Sequence, residues 1–177
     1  PDGIYVDGTY GRGGHSRALL DSLGPHGRLI VIDRDPRALE SAHELAARDT
    51  RVTVIKGSFG EIERIAVDLA ILGKVDGIVL DLGVSSPQLD DAERGFSFLR
   101  DGPLDMRMDP ESGFSAADWI NSATEADMAR VILRLGEDRS ARRIARAICN
   151  ARQTQKIERT RQLADIIETV LPRRGKG

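Results

Sequence analysis

The glycine-rich segment 6–16 is the part of this sequence best suited to bind a ligand. It follows the pattern Asp-x-x-x-Gly-x-Gly-Gly, in which Asp7 ends an apolar run. The glycines are Gly11, Gly13 and Gly14. Glycine reaches positive φ and lets a ligand approach the main chain closely. A glycine turn that opens a helix also presents free N–H groups at the positive end of the helix dipole. The pattern therefore predicts a nucleotide-like ligand, and the acid before the glycines favours one with a cationic amine.

Three further residues are candidates for contacts with such a ligand. Asp33 lies 20 residues after Gly13, where a carboxylate can accept two hydrogen bonds from a ribose diol. We assign helix capping to Asp35, the other acid of this segment. Phe59 follows a strand end and could lie against adenine, although plain core packing is an alternative. His15, beside the glycines, could contact a carboxylate of the ligand or be an ordinary turn residue.

Asp81 and the loop that follows it form a second candidate site. Asp81 ends an apolar run that we expect to be a central, buried strand. Burying an unpaired carboxylate is costly, so Asp81 is expected either to pair with a neighbour or to face ligand and substrate. Residues 83–88 could then line a cleft with backbone groups, hydroxyls and an amide. A purely structural loop is the alternative.

The elements that would position these residues alternate along the first half of the chain. Short β-branched-rich runs predict strands buried on both faces. They are residues 4–7, 29–33, 52–56 and 77–81. Helical patterns lie between them at 16–23, 36–47 and 62–72. The alternation predicts a doubly wound parallel sheet, and ligands bind such sheets outside the carboxyl ends of the strands.

The second half is expected to be helical. Residues 82–114 are rich in Gly, Pro, Ser and Asp and are predicted to be a long loop. Helices are predicted at 115–121, 124–135, 138–152 and 160–171. Thr124 and Thr160 are the expected caps of two of them, and Pro172 is expected to stop the last. We therefore predict a ligand-binding core with its cleft loop at 1–104 and a basic helical domain at 105–177.

Composition limits the class of protein. With 177 residues, 40% of them hydrophobic and 31% charged, the chain fits a globular protein with one good core. The single cysteine, Cys149, excludes an internal disulfide and fits a reducing compartment, so we expect a cytoplasmic protein. No apolar run reaches the roughly 18 residues of a membrane span, and no membrane partner is expected.

Charge is distributed unevenly along the chain. Residues 1–129 hold 13 Lys and Arg against 23 Asp and Glu, whereas residues 130–177 hold 13 against 5. A basic segment attached to an acidic domain suggests a polyanionic partner, although solvated helix faces are the plain alternative. The arginines available for phosphates are Arg130, Arg134, Arg139, Arg142, Arg143, Arg146, Arg152, Arg159, Arg161, Arg173 and Arg174. We select Arg139, Arg142, Arg143 and Arg146 as substrate-binding residues.

Four segments of the sequence resemble the bacterial MraW family of small-subunit ribosomal RNA methyltransferases. They are residues 5–16, 33–36, 80–90 and 94–109. The last two are long and unusual, among them Asp81-Leu82-Gly83-Val84-Ser85-Ser86-Pro87-Gln88. The resemblance runs from about Tyr5 to the end and implies a partial Rossmann-like sheet with an inserted small helical domain. It also implies a chain truncated at both ends, without the strands that complete the sheet.

The resemblance implies an activity and a set of cofactor contacts. The family uses S-adenosylmethionine, whose cationic amine suits the acid before the glycines, to methylate the exocyclic amine of a cytidine in 16S ribosomal RNA. Ribosomal RNA or the small ribosomal subunit is the implied partner. Carried over by motif, the cofactor contacts are Gly13, Gly14, His15, Asp33, Phe59, Asp81 and Gln88, and we add Gly11 from the same turn.

The chemistry of methyl transfer to a cytosine amine requires a hydrogen-bond acceptor. Asp81 is the first candidate for this catalytic role, and Ser85 and Ser86 are alternates. Related amino methyltransferases often carry an acid or serine, two prolines and an aromatic residue after the fourth strand. Here Asp81-Leu82-Gly83-Val84 stands in that place, so roles borrowed from that motif are not carried over.

Other functions remain open on the sequence. The chain could methylate a small molecule, although the basic lobe and long cleft loop count against this. A nucleotide-binding oxidoreductase is disfavoured by the glycine spacing. A non-catalytic RNA-binding fragment is a third alternative. The sequence leaves the oligomeric state and the target nucleotide unassigned.

Overall fold

The computed structural model describes residues 1–171, which form two compact units. The first unit is Pro1–Ser85, and the second begins at Ser86. The predicted domains, 1–104 and 105–177, were defined by their expected roles, whereas these units are defined by compactness. The predicted boundary stays a prediction.

The first unit alternates strands and helices around a parallel sheet. Its strands are β1 (Ile4–Asp7), β2 (Arg28–Asp33), β3 (Val52–Lys56) and β4 (Val75–Val79). Its helices are α1 (Gly14–Ser22), α2 (Pro36–Arg48) and α3 (Ile62–Asp68), the last preceded by a 3₁₀ turn at Phe59–Glu61. The strand order is β3-β2-β1-β4, with all neighbours parallel. The predicted α/β fold is confirmed.

Strand β2 explains why the sheet is covered on both faces. Leu29 and Val31 pack with Tyr10 and with α1 and α2, whereas Ile30 and Ile32 pack with Val6 and α3. Successive side chains of a strand point to opposite faces, so a continuous apolar run fills two cores at once.

Strand β4 differs from the expectation of a buried central strand. It lies at the edge of the described sheet, its burial alternates, and Ile78 is 51% exposed. It also ends at Val79, two residues before Asp81. Among residues 1–171, β4 pairs with β1 alone and has no neighbour on its other side. Its apolar residues are therefore less buried than their composition suggested.

Helix boundaries also differ from the predictions. Helix α3 ends at Asp68 rather than at 72, because Ala70 adopts a positive φ of 57° that a helix cannot continue through. The predicted loop 82–114 contains a short helix, α4 (Ser86–Asp90), and a 3₁₀ turn at Ala92–Arg94. Both elements are short and contain or adjoin turn-forming residues, so the sequence pattern indicated a loop.

The second unit is mostly helical. Its longer elements are α5 (Ala116–Ser122), α6 (Glu125–Leu135), α7 (Ala141–Thr154) and α8 (Thr160–Glu168). Met128, Ile144 and Ile148 pack in its core with Leu104 and Ile157. None of the helices in residues 1–171 is both long and apolar enough to cross a membrane.

The caps of these helices follow the sequence in part. Thr124 caps α6 as predicted, because its side chain accepts a hydrogen bond from the Asp127 N–H. Thr160 does not cap α8. Arg159 occupies that position, and the buried Thr160 hydroxyl instead accepts a hydrogen bond from the Gly102 N–H. The helix ends at Glu168, and Pro172 lies outside the described residues.

Candidate ligand-binding site at the strand ends

The carboxyl ends of neighbouring strands carry the polar residues of the first unit. Asp7 ends β1, Asp33 ends β2, and Phe59 lies three residues beyond the end of β3. Asp81 lies two residues beyond the end of β4. The carboxyl ends of parallel strands lie on the same side of a sheet, so the segments that follow these strands lie near one another there.

Asp7 supports the glycine turn through two hydrogen bonds. Its side chain is 1% exposed, and its two oxygens accept hydrogen bonds from the Ser16 hydroxyl at 2.6 Å and the Thr9 N–H at 3.1 Å. We expected this acid to suit a cationic group of the ligand. In the structure Asp7 is instead buried, and its oxygens bind residues of the turn and of α1. Both bonds satisfy a charge that would be costly to bury alone.

The glycines of the turn serve two different purposes. Gly11 and Gly13 adopt positive φ values of 53° and 71°. A Cβ at Gly13 would lie 2.5 Å from the hydroxyl oxygen of the buried Tyr10, so only glycine fits. Gly14, by contrast, has nothing within 4 Å of where a Cβ would be. Its open side faces unfilled space at the first residue of α1.

The first N–H groups of α1 are exposed to a ligand. The helix begins at Gly14 with no side-chain cap. Within residues 1–171, no acceptor bonds the N–H groups of Gly14 or His15. Unpaired amides at a helix N-terminus carry partial positive charge and bind anionic groups.

Asp33 connects the end of β2 to the glycine turn. One oxygen accepts from the Gly11 N–H at 2.8 Å, and the other accepts from the N–H groups of Arg34 and Asp35 at 2.7 and 2.9 Å. A carboxylate offers about four lone-pair sites, so an acceptor site remains for a hydroxyl. Asp35 caps α2 as predicted, by accepting from the Arg37 N–H at 3.0 Å.

Phe59 presents its ring at the start of the 3₁₀ turn. The residue is 46% exposed, so part of its apolar surface is accessible to a ligand. Ser58 fixes this position through a capping box with Glu61. Gly8 makes room beside the ring, because a Cβ there would lie 3.2 Å from that of Phe59 and 2.5 Å from Leu80.

Asp81 and His15 meet across the strand ends. Their Nδ1 and Oδ2 atoms are 3.9 Å apart, and the side chains are 60% and 71% exposed for His15 and Asp81. The Asp81 N–H donates to the Thr9 hydroxyl at 2.6 Å, which fixes its backbone on the glycine turn. The expectation that Asp81 ends a buried central strand is wrong. Within residues 1–171, β4 is the outermost strand of the sheet, and the Asp81 carboxylate is exposed to solvent.

The remaining predicted site residues lie at or beyond the end of this unit. Ser85 is half-buried and is the last residue of the first unit, whereas Ser86 and Gln88 belong to the second. Gln88 is buried, and its amide nitrogen lies 3.4 Å from the Met108 sulfur.

The family comparison decides the class of protein. The family model of the MraW methylases matches residues 1–177. The chain belongs to the MraW methylase family. Its sheet is accordingly a Rossmann-like methyltransferase sheet, and its activity class is S-adenosylmethionine-dependent methyl transfer.

The strand ends of this MraW-family chain fit that cofactor. Gly14 leaves space against the main chain, and the unpaired amides of α1 suit a carboxylate. Asp33 keeps acceptor capacity for a ribose, and Phe59 exposes a flat apolar face. The individual contacts of these residues with the cofactor stay predictions.

Sequence reasoning missed the residues that hold the turn in place. Thr9, Tyr10 and Ser16 make its supporting contacts, yet none was selected as a site residue. Ser16 carried a usable signal, because a hydroxyl in the first turn of α1 lies close to the acid that ends β1. Thr9 carried none, since its partner is 72 residues away.

The candidate RNA-binding arginines divide into two groups. Six have partners of their own. Arg130 pairs with Asp127, Arg159 with Asp101 and Arg161 with Asp165. Arg143 donates to the Val170 carbonyl, Arg152 donates to the Ile120 and Ala123 carbonyls, and Arg146 lies 3.4 Å from Glu125. The side chains of Arg134, Arg139 and Arg142 have no hydrogen-bond or ion-pair partner within residues 1–171. Arg173 and Arg174 lie outside the described residues.

Proposed function

We propose that this chain carries out the transfer of a methyl group from S-adenosylmethionine to the exocyclic amine of a cytidine in small-subunit ribosomal RNA. The match to the MraW methylase family over residues 1–177 is the observation that carries this proposal. The strand-end geometry supports it, because an open glycine turn, a carboxylate with a remaining acceptor position and an exposed ring follow the carboxyl ends of neighbouring parallel strands.

Different residues of the first unit would bind the carboxylate, the ribose and the adenine of the cofactor. The amides of Gly14 and His15 would bind its carboxylate, with Gly11 and Gly13 shaping the turn. Asp33 would accept from the ribose, and Phe59 would lie against the adenine. Gln88 is a further proposed contact from the second unit. When bound, the cofactor would supply a methyl group on a sulfonium, and the neutral thioether would be the leaving group when the target nitrogen takes that methyl group in line.

The acceptor for the target amine is proposed to be Asp81. The lone pair of a cytosine amine is conjugated with the ring, so the amine is a poor nucleophile. A carboxylate that accepts a hydrogen bond from it favours a pyramidal nitrogen, stabilises the developing positive charge and can take the proton that the nitrogen loses on methylation. The Asp81 carboxylate is exposed and faces His15 at 3.9 Å, and its backbone is fixed by Thr9. Ser85 and Ser86 are the alternates for this role.

The substrate is proposed to be RNA rather than a free nucleoside. A base must leave its stack to reach a methyl donor, and RNA recognition relies on splayed bases together with backbone contacts. The second unit offers exposed, unbonded cations for the backbone, including Arg139 and Arg142. The partner we propose, from the family resemblance, is small-subunit ribosomal RNA or the small ribosomal subunit.

A radiolabelled methyl-transfer assay tests the proposal. The chain is incubated with labelled S-adenosylmethionine and small-subunit ribosomal RNA, and free cytidine serves as the control substrate. Label in RNA, found in cytidine methylated at the exocyclic amine after digestion, is the expected result. Label transferred equally well to free cytidine would favour a small-molecule methyltransferase, and no label in either would leave the chain as a binding module.

A further inference from the structure

A groove lies on the surface of the second unit between α7 and the chain that follows α8. Its volume is about 470 Å³. It is lined by Arg142, Arg143, Arg146, Ala147, Asn150 and Val170. The lining therefore combines three guanidinium groups and one amide with the small apolar surfaces of Ala147 and Val170, and it contains no carboxylate.

The three arginines differ in what they are bonded to. Arg143 donates to the Val170 carbonyl and so connects α7 to the opposite wall of the groove. Arg146 lies 3.4 Å from Glu125, a long contact between exposed side chains. The Arg142 side chain has no hydrogen-bond or ion-pair partner within residues 1–171. Two of the three cations thus keep most of their hydrogen-bonding capacity for a ligand.

Their placement on α7 is unfavourable without an anion. Arg142 and Arg146 are four residues apart, a spacing at which like charges face each other on a helix and destabilise it. Arg142 and Arg143 also lie in the first turn, which holds no acidic residue, where the helix dipole disfavours cations. A bound anion would relieve both costs at once.

We propose that the groove lined by Arg142, Arg143 and Arg146 is a seat for the phosphodiester backbone of RNA. The proposal rests on the proposed function, and it specifies where the substrate backbone is bound in the second unit. Phosphate contacts of this kind fix the orientation of a nucleic acid without reading its sequence. The groove would therefore position the RNA, while selection of the target base belongs to the first unit.

The chemistry of the lining favours phosphate over an acidic protein segment. The planar fork of arginine donates to two oxygens of one phosphate, and it is weakly hydrated compared with an ammonium group. The lining cations are all arginines. The apolar floor of Ala147 and Val170 can lie against sugar carbons. An acidic peptide would also need acceptors for its own backbone N–H groups, and Asn150 is the only side chain of the lining that supplies one.

The experiment compares two double variants of the whole chain. Arg142→Gln with Arg146→Gln removes the two available cations and leaves the Arg143 bond to Val170 intact. The matched control, Arg48→Gln with Lys74→Gln, removes two exposed positive charges just ahead of β3 and β4, at the other end of the first unit's sheet. Calorimetric titration with S-adenosylmethionine is expected to be the same for both variants and the wild type. Thermal unfolding should show that both variants are folded, with the groove variant at least as stable as the wild type because a like-charge pair on α7 has been removed.

Binding of a labelled single-stranded oligoribonucleotide is then measured across a range of salt concentrations. Removing one arginine that binds a phosphate should reduce the slope of log affinity against log salt by about 0.7. For two such arginines the groove variant should bind about 25-fold more weakly at 0.1 M salt, and the control should stay near wild type. Polyglutamate of matched charge is expected to displace the RNA poorly.

Three results would overturn the proposal. They are equal affinities and slopes for the two variants, no salt-dependent RNA binding by the wild type, and equal displacement by polyglutamate, which would assign the groove to an acidic protein. Failure of the proposed function is a separate result. In that case the wild type would bind RNA in the groove and transfer no methyl group to it.

Discussion

At the scale of single residues, the bond between Ser16 and Asp7 supports the whole glycine turn. Both side chains are fully buried, and the hydroxyl donates to the carboxylate at 2.6 Å. Ser16→Ala leaves a buried carboxylate short of a donor, which should cost about 1–3 kcal/mol of unfolding free energy. Urea unfolding measures this. Ser22→Ala, at the exposed end of the same helix, is the control, and an equal decrease in stability in the two variants would refute the bracing role.

Asp81 carries the proposed catalytic role with little structural role. Its side chain is exposed, and its contact with Thr9 is made by the backbone. Asp81→Asn should therefore leave the unfolding midpoint unchanged and reduce methyl transfer by roughly 100-fold or more. Asp21→Asn on α1 is a control of equal charge change. Near-normal turnover of Asp81→Asn would remove this carboxylate from the mechanism and direct attention to Ser85 and Ser86.

Sequence reasoning found the residues that could face a ligand better than those that hold them. Gly13, Gly14 and Asp33 follow from motif spacing and lie where the strand ends place them. The environment of Asp81 was mistaken, because apolar composition does not show whether a strand has one neighbour or two. Thr9 could not be found, since its bond to the Asp81 N–H depends on how β1 and β4 are paired.

At the scale of elements, the segment before α5 is held by a carboxylate and an arginine two residues apart. The Arg107 guanidinium donates to both oxygens of Asp105. These bonds hold the pKa of that carboxyl below its ordinary value of 3.8, and partial burial opposes the shift. A carboxyl whose pKa is lowered by folding stabilises the protein above its unfolded pKa and loses that contribution as pH falls.

Asp105→Asn should consequently lower stability at neutral pH but not in strong acid. Thermal unfolding at pH 7 is expected to show a lower midpoint for the variant than for the wild type. The difference should shrink as pH falls below 3.8, where the wild-type carboxyl takes up its proton. Asp90→Asn on α4 is the comparison. A difference independent of pH would show that shape, not charge, holds this segment.

Elements were predictable where one physical signal dominated. Strands β1 to β3 follow from β-branched apolar runs, and α6 follows from its Thr124 cap. Helix α4 was missed because five residues with a proline and a serine read as turn. The length of α3 was overestimated because Ala70 adopts a positive φ. Alanine rarely adopts this conformation, so the sequence gives no sign of the turn there.

At the scale of the whole molecule, two compact units divide the proposed work. The first carries the strand-end site, and the second carries the arginine groove. Hydrogen exchange should then respond separately to the two ligands. S-adenosylmethionine is expected to slow exchange of the amides at 11–16, and single-stranded RNA that of α7. Protection of α7 by the cofactor alone, at a concentration that saturates it, would contradict this division.

Gly14 offers the most direct test that the cofactor binds at the glycine turn. Nothing lies within 4 Å of its missing Cβ and its φ is ordinary, so Gly14→Ala should leave folding intact. If the cofactor approaches the main chain there, the added methyl group should cost about 1–3 kcal/mol, or roughly 5- to 150-fold in affinity. Calorimetric titration with S-adenosylmethionine, with Ser22→Ala as control, gives the answer. Weakened binding of Gly14→Ala alone is the predicted result, and wild-type affinity in that variant would contradict the site.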